Sequence, residues 1–225
     1  MTDKLTSVSF DIETTGFGRS EIVTTVGFRL PLGCRVFVNT AGVQVDAECI
    51  EGKLETTFGT PIILTKHLTE EQLLEAVTQF GTETLAPREY LLVAYNGERF
   101  RGGFDLPFMR SRYAEQDIRW PFSGIPYADL MPIFEQRFNT RGVDGEVSDL
   151  ESVYDMLVGG EFSKSDPFKD SSEAVTAYEE QEFRKLLEHN VSDILRTDAL
   201  ASLAERYCSK SEFRLKSLTP VWEDN

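Results

Sequence analysis

Between Val8 and Glu13 the chain alternates. Val8, Phe10 and Ile12 are apolar, and Ser9, Asp11 and Glu13 between them are polar. A strand sends successive side chains to opposite faces, so this stretch predicts a strand with one apolar face and two carboxylates on the other. Two further strands are expected over residues 21–30 and 35–40, joined by Pro31-Leu32-Gly33, which makes an antiparallel meander of the first three. Residues 41–60 are polar and read as a connection of unsettled strand content, and Ile62, Ile63 and Leu64 suggest a short strand. Thr69 with Gln72 three residues on is a capping box, and Leu73, Val77 and Phe80 continue at helical spacing to a stop before Gly81 or Pro87.

The apolar run at 90–95 has no alternation, as expected of a strand buried on both faces in the parallel part of a sheet. Asn96 and a loop with Gly97, Gly102 and Gly103 lead to a helix opening at Phe104-Asp105-Leu106-Pro107-Phe108, with Pro107 in its first turn. Residues 125–129 predict another short strand, followed by a helix from Leu130. A brief amphipathic helix over 149–157 stops at Gly159-Gly160. From Ser172 to Cys208 helical spacing dominates through Phe183, Leu187, Ile194 and Leu200, with a break near Glu179, and the tail with Pro220 and Trp222 is expected to pack on the surface.

The sum is an α/β chain of 225 residues, long enough for one full domain over 1–225 with a core at about 7–208. No apolar run approaches the length of a membrane span, and no basic stretch followed by an apolar one marks the N-terminus. Three scattered cysteines, Cys34, Cys49 and Cys208, suit neither a disulfide framework nor a zinc site, so a reducing cytoplasm is the expected compartment. The net charge of -15 opposes general attraction to nucleic acid, so any such site must be local. The acid excess, with only 8 Lys beside 15 Arg, also suits a high-salt cytoplasm. There the Debye length falls to about 3 Å.

Asp11 and Glu13 alone fit two readings: the solvated face of an edge strand, or ligands of a divalent cation that offsets the cost of burying charge. Further acids stand at chosen points, Asp105 just after the buried strand and Asp193 inside the last long helix. Phosphodiester hydrolysis by two divalent ions about 3.5–4 Å apart uses this kind of donor set. Mg²⁺ and Mn²⁺ prefer carboxylate oxygens.

Three short motifs carry a resemblance: Phe10-Asp11-Ile12-Glu13-Thr14-Thr15-Gly16, then Tyr95-Asn96-Gly97 with Phe104-Asp105-Leu106-Pro107, then His189-Asn190-Val191-Ser192-Asp193. In this order they resemble the DEDD-superfamily 3'-5' exonucleases of ribonuclease-H-like fold, most closely the proofreading domain of family B DNA polymerases and its free-standing relatives. The resemblance implies a mixed sheet of three antiparallel strands followed by parallel ones, flanked by helices. It also implies a two-metal hydrolase for the 3' ends of single-stranded DNA or RNA, with a place in DNA repair. Asp11, Glu13, Asp105 and Asp193 would bind Mg²⁺ or Mn²⁺, Asn96, Thr14 and Phe104 would contact substrate, and His189 would orient or deprotonate the attacking water.

The polymerase-like branch usually has Tyr where this chain has His189, four residues before the last Asp, and the His-using branch places its His five before. Positions four apart share a helix face, so His189 can still overlook the site. The departure keeps two alternatives open: a catalytically degenerate nucleic-acid-binding or interaction module, and a structure-selective endonuclease or ribonuclease. His67 reads as surface or structural, and Asp129, Asp149 and Glu151 as caps or first-turn acids. Glu98-Arg99-Phe100-Arg101 with Arg110 and Arg112 suits either a phosphate-binding strip or a solvated loop, and Phe104 and Phe108 suit the core as well as base stacking.

Overall fold

The computed structural model of the chain describes residues 5–98, 103–143, 145–170 and 172–222. Its first strand, β1 (Thr6–Thr14), pairs antiparallel with β2 (Val23–Leu30), and β2 pairs antiparallel with β3 (Gly33–Asn39). β4 (Ile62–His67) lies parallel to β3, β5 (Tyr90–Ala94) parallel to β1, and β6 (Pro126–Asp129) parallel to β5. A separate two-stranded ribbon joins β7 (Arg141–Gly142) to β8 (Gly145–Glu146), and β9 (Lys216–Ser217) pairs antiparallel with β6. The seven-stranded sheet therefore runs β4-β3-β2-β1-β5-β6-β9. This is the mixed α/β arrangement expected, with antiparallel strands followed by parallel ones, and it is consistent with a ribonuclease-H-like fold.

Seven α-helices are found among the described residues: α1 (Ala47–Phe58), α2 (Glu70–Phe80), α3 (Asp105–Glu115), α4 (Met131–Arg137), α5 (Leu150–Leu157), α6 (Ser172–Glu179) and α7 (Phe183–Tyr207). The main departure from the sequence reading is α1, where a polar connection was expected. Asp46 caps this helix by accepting from the Cys49 N–H, Gly59 ends it at φ 62°, and only Leu54 and Phe58 are buried. So thin an apolar stripe is hard to see in sequence. Its polar side does structural work, because Glu55 Oε1 accepts from the Ile62 N–H and Glu51 Oε2 from the Leu64 N–H, at 3.0 and 2.7 Å. These bonds occupy amides of the edge strand β4 that would otherwise invite another chain.

Other differences are local. At the start of α2, Thr69 accepts from the Gln72 N–H as expected, whereas the Gln72 side chain accepts from the Leu68 N–H and not from that of Thr69. α2 ends at Phe80, before Gly81 as expected, and a π turn at Gly81–Leu85 carries the coil on to just before Pro87. The break expected near Glu179 is there: α6 ends at that residue and residues 180–182 lead to α7, with Gln181 at φ 62°. Trp222 is 90% exposed and does not pack, whereas Leu218 is buried beside β9.

The two faces of the sheet are filled differently. On the α2 and α3 face, Val8, Phe10 and Ile12 join Val26, Phe28, Leu73, Val77, Leu106 and Phe122 in one apolar cluster. On the opposite face α7 crosses the sheet, and the apolar residues there form two clusters. One gathers β3, β4, α1 and α6 around Leu187, Val191 and Ile194 of α7; the other gathers β5, β6 and α5 around Leu200, Ala201 and Ala204. Between them lies a polar seam along β1. No helix among the described residues is long and apolar enough to cross a membrane.

Candidate metal centre

The seam follows from pairing register. Ser9 faces Arg29, Asp11 faces Gly27 and Glu13 faces Thr25 across β1 and β2, and directly opposed residues share a sheet face. Every one of these is polar or glycine, and α7 lies over them. Ser9 Oγ donates to the Ile194 carbonyl at 2.6 Å, and Asn190 Nδ2 donates to Asp11 Oδ2 at 2.8 Å. Gly27 is what lets the helix come this close: a Cβ there would sit 2.1 Å from Asn190 Oδ1 and 3.3 Å from Ile194 Cγ2. The register of β1 shifts just after Glu13, a bulge at the point where the strand turns away from the site.

Four carboxylates gather at the C-terminal end of this seam. Asp11 and Glu13 come from β1, Asp193 from α7, and Asp105 is the first residue of α3, following the loop after β5. Burial first, and then mutual repulsion, holds Asp11 well above the usual carboxylate range, with Glu13, Asp105 and Asp193 all contributing. Burial likewise raises Asp105, helped by Glu13, Asp129 and Asp193. Burial raises Glu13 to about 7 although His189 pulls it down, and raises Asp193 against the pull of His189 and Arg196. Glu13 is buried and the other three are half-buried, and acids gathered and raised in this way have an electrostatic demand for cations. Oxygen-only donors suit hard divalent ions such as Mg²⁺ or Mn²⁺, so the residues fit the proposed cofactors.

His189 stands over this cluster, as its helical position implies. Its Nε2 is 3.7 Å from Glu13 Oε1 and 4.0 Å from Asp193 Oδ2. Its Nδ1 is held 2.8 Å from Asp166 Oδ2. Burial works against charge on the imidazole, but Glu13, Asp193 and Asp166 together lift it well above its ordinary value. Arg196, buried on α7, reaches the same group: Nη1 lies 3.0 Å from both Asp166 Oδ2 and Asp193 Oδ1, and Nε donates to the Phe162 carbonyl. Among the described residues the one trio of ligand atoms within 4.8 Å of one another is that of Asp166, His189 and Asp193, not any three of the four acids. Arg196 already supplies a cation to that trio.

The loop after β5 is tied from below. Asp129, at the end of β6, accepts from the Asn96 and Glu98 N–H groups at 2.9 and 3.1 Å and from the Met131 N–H at 3.1 Å. It lies just before Leu130, the N-cap of α4, and is neither its cap nor in its first turn; it binds the first amide of that helix and anchors the loop that delivers Asp105. Asn96 adopts φ 62°, and its Oδ1 is buried without a partner among the described residues. Gly97 and Gly103 are required here, since Cβ atoms would lie 2.7 Å from Ala94 Cβ and 1.4 Å from the Glu98 carbonyl oxygen respectively.

Asp11, Glu13, Asp105, His189 and Asp193 are thus brought together. Thr14 Oγ1 is spent on the turn after β1, donating to the Gly16 carbonyl at 2.9 Å. Phe104 is half-buried between Phe108 and Phe17, with ring centroids 4.7 and 4.9 Å away, and Phe17 is 80% exposed. Of the arginines in the expected basic strip, Arg110 and Arg112 fall among the described residues. Arg112 is bound bidentately by Glu70 at 2.9 and 2.6 Å, and Arg110 lies over Trp120. Arg99, Phe100 and Arg101 lie outside the described residues. His67 is structural, stacked on Phe37. Asp149 caps α5 as expected, and Glu151 lies 3.5 Å from Arg196.

Asp166 and Arg196 escaped the sequence reading. Arg196 was within reach of it, standing three residues after Asp193 and seven after His189 on one helix face, but Asp166 sits in an irregular loop with no periodicity to mark it. No protein-family model matches this chain, and no curated protein is similar to it.

Proposed function

We propose that the chain is a two-metal 3'-5' exonuclease for single-stranded DNA or RNA, working in a reducing cytoplasm. The observation that carries this reading is the convergence of Asp11, Glu13, Asp105 and Asp193 from three separate elements under His189, each carboxylate raised by burial. Mg²⁺ or Mn²⁺ held by these acids would supply charge neutralisation and a nucleophilic hydroxide at neutral pH.

The chain's own groups do the rest. Asn190 fixes the rotamer of Asp11 through its amide, and Arg196 turns Asp193 by holding Oδ1. His189 Nε2 faces the acids; in its neutral form, which bound cations would favour, it would orient the water that adds to phosphorus or take its proton, returning that proton to the leaving oxygen as the ester P–O bond breaks. Exposed Phe17, backed by Phe104 and Phe108, offers a surface on which a terminal base stacks. The 3'-directed mode and the link to DNA repair rest on the motif resemblance. The competing reading, a degenerate binding module, draws support from Arg196, which withdraws one oxygen of Asp193 from any metal.

Digestion of end-labelled linear and circular single strands in Mn²⁺ separates the readings. Stepwise loss from 3' ends with intact circles is expected; nicked circles would make the protein an endonuclease, and binding without cutting would favour the module.

A further inference from the structure

We infer that Asp166 is a positioning residue for His189, holding the imidazole by its Nδ1–H so that Nε2 is presented to the acid cluster. The inference rests on the nuclease reading above and names a residue outside the three motifs.

Asp166 lies in the segment between α5 and α6, with its side chain 7% exposed. Three nitrogens converge on its two oxygens: His189 Nδ1 at 2.8 Å and Arg196 Nη1 at 3.0 Å on Oδ2, and the Phe168 N–H at 3.0 Å on Oδ1. Arg196 and the Phe168 N–H can only donate, one to each oxygen, so the side chain is a carboxylate that accepts on both sides, and His189 Nδ1 can meet it only as a donor. The Nδ1 proton is therefore directed to Asp166 in both charge states of the ring, and Nε2 is left facing Glu13 and Asp193. Phe168, two residues on, packs against the imidazole at 5.3 Å and restricts its rotation. A carboxylate behind a working histidine in this way sets both tautomer and orientation.

The same segment is also pinned to α7 by two contacts that avoid His189, Ser165 Oγ to Ser192 Oγ at 3.0 Å and Arg196 Nε to the Phe162 carbonyl at 3.2 Å. These provide a control. Ser165→Ala loosens the segment without touching the imidazole, whereas Asp166→Asn forces an N–H group against one of the three donors.

The test compares wild type, Ser165→Ala, Asp166→Asn, His189→Ala and the Asp166→Asn, His189→Ala double variant. Exonuclease kinetics in Mg²⁺, Mn²⁺ affinity by calorimetry, and the His189 Nδ1–H proton by NMR are the readouts. Asp166→Asn is expected to lower kcat roughly 10–100-fold with KM and Mn²⁺ affinity little changed. It is expected to cost nothing further in the His189→Ala background, because the group it positions is gone. The Nδ1–H proton is expected to be protected from exchange in wild type and Ser165→Ala and lost in Asp166→Asn. An equal loss of kcat in both backgrounds, an unchanged kcat in Asp166→Asn, or an unprotected Nδ1–H in wild type overturns the inference. Wild type inactive on every strand would instead overturn the nuclease reading, and the proton signal would still decide whether Asp166 holds the ring.

Discussion

The two faces of β1 differ more than any other pair of surfaces in the molecule. Toward α2 and α3, Phe10 stands among Phe28 and Phe122 with centroids 5.4 and 5.3 Å apart, and the cluster around it is continuous and apolar. Toward α7, the same strand sets buried Ser9 and Glu13 and half-buried Asp11 against Asn190, His189 and Asp193, and the apolar contacts divide to either side. A single backbone serves both because side chains alternate. The dry face supplies burial energy that the wet face spends on holding like charges together, a division common where a site is strained.

Breaking the dry face should have the largest effect. Phe10→Ala is expected to cost about 3–5 kcal/mol of folding stability, the usual range for removing a buried aromatic ring. Denaturant unfolding measures it, and a cost below about 1 kcal/mol would mean that the cluster does not carry the strand.

The wet face should reveal itself through pH. Glu13 is raised from 4.5 to about 7, and Asp11, Asp105 and Asp193 are raised as well, so the folded state holds protons that the unfolded chain releases. His189 is raised above 6.5 and acts with the same sign. Stability of the metal-free protein should therefore be full at low pH and fall as pH rises from 4.5 through about 7, with Glu13 alone worth roughly 3 kcal/mol. Asp166 is shifted the opposite way: burial raises it, yet the His189 hydrogen bond and Arg196 hold it below the ordinary carboxylate value, so its contribution is lost only under more acid conditions. Melting in chelator should show the fall, Mg²⁺ or Mn²⁺ should reduce it, and Glu13→Gln should remove its own share. A slope unchanged by either metal or Glu13→Gln would remove the electrostatic account.

The smallest effect sharpens the contact between strand and helix. Gly27→Ala places a Cβ 2.1 Å from Asn190 Oδ1 and should cost about 1–3 kcal/mol as the helix or the amide gives way. Adding Asn190→Ala should recover part of that loss. If the double variant is no more stable than Gly27→Ala, the close approach is not where the cost arises.

Much of the dry face was legible because it depends on local periodicity. The alternation in β1, the unbroken run that becomes β5, and the Thr69 cap of α2 each state their element within a few residues. α1 was not legible, since its charged residues serve the neighbouring strand and only Leu54 and Phe58 face inward. The polar face of β2 was readable in principle from Thr25, Gly27 and Arg29, but their meaning appears only beside β1, where they extend the seam.

By itself the sequence determined that Asp11 and Glu13 share a face, because a strand admits no other outcome, and that His189 and Asp193 share another, because a helix repeats every three to four residues. Only the tertiary structure decided that those two faces meet, across a separation of 179 residues between Asn190 and Asp11. It also decided which groups stand behind them. Asp166 and Arg196 gain their roles through hydrogen-bond distances of 2.8 to 3.0 Å set by the packing of an irregular segment on α7. The proton affinity of Glu13 likewise belongs to the folded chain, because burial and neighbouring charge exist only once the elements have closed around it.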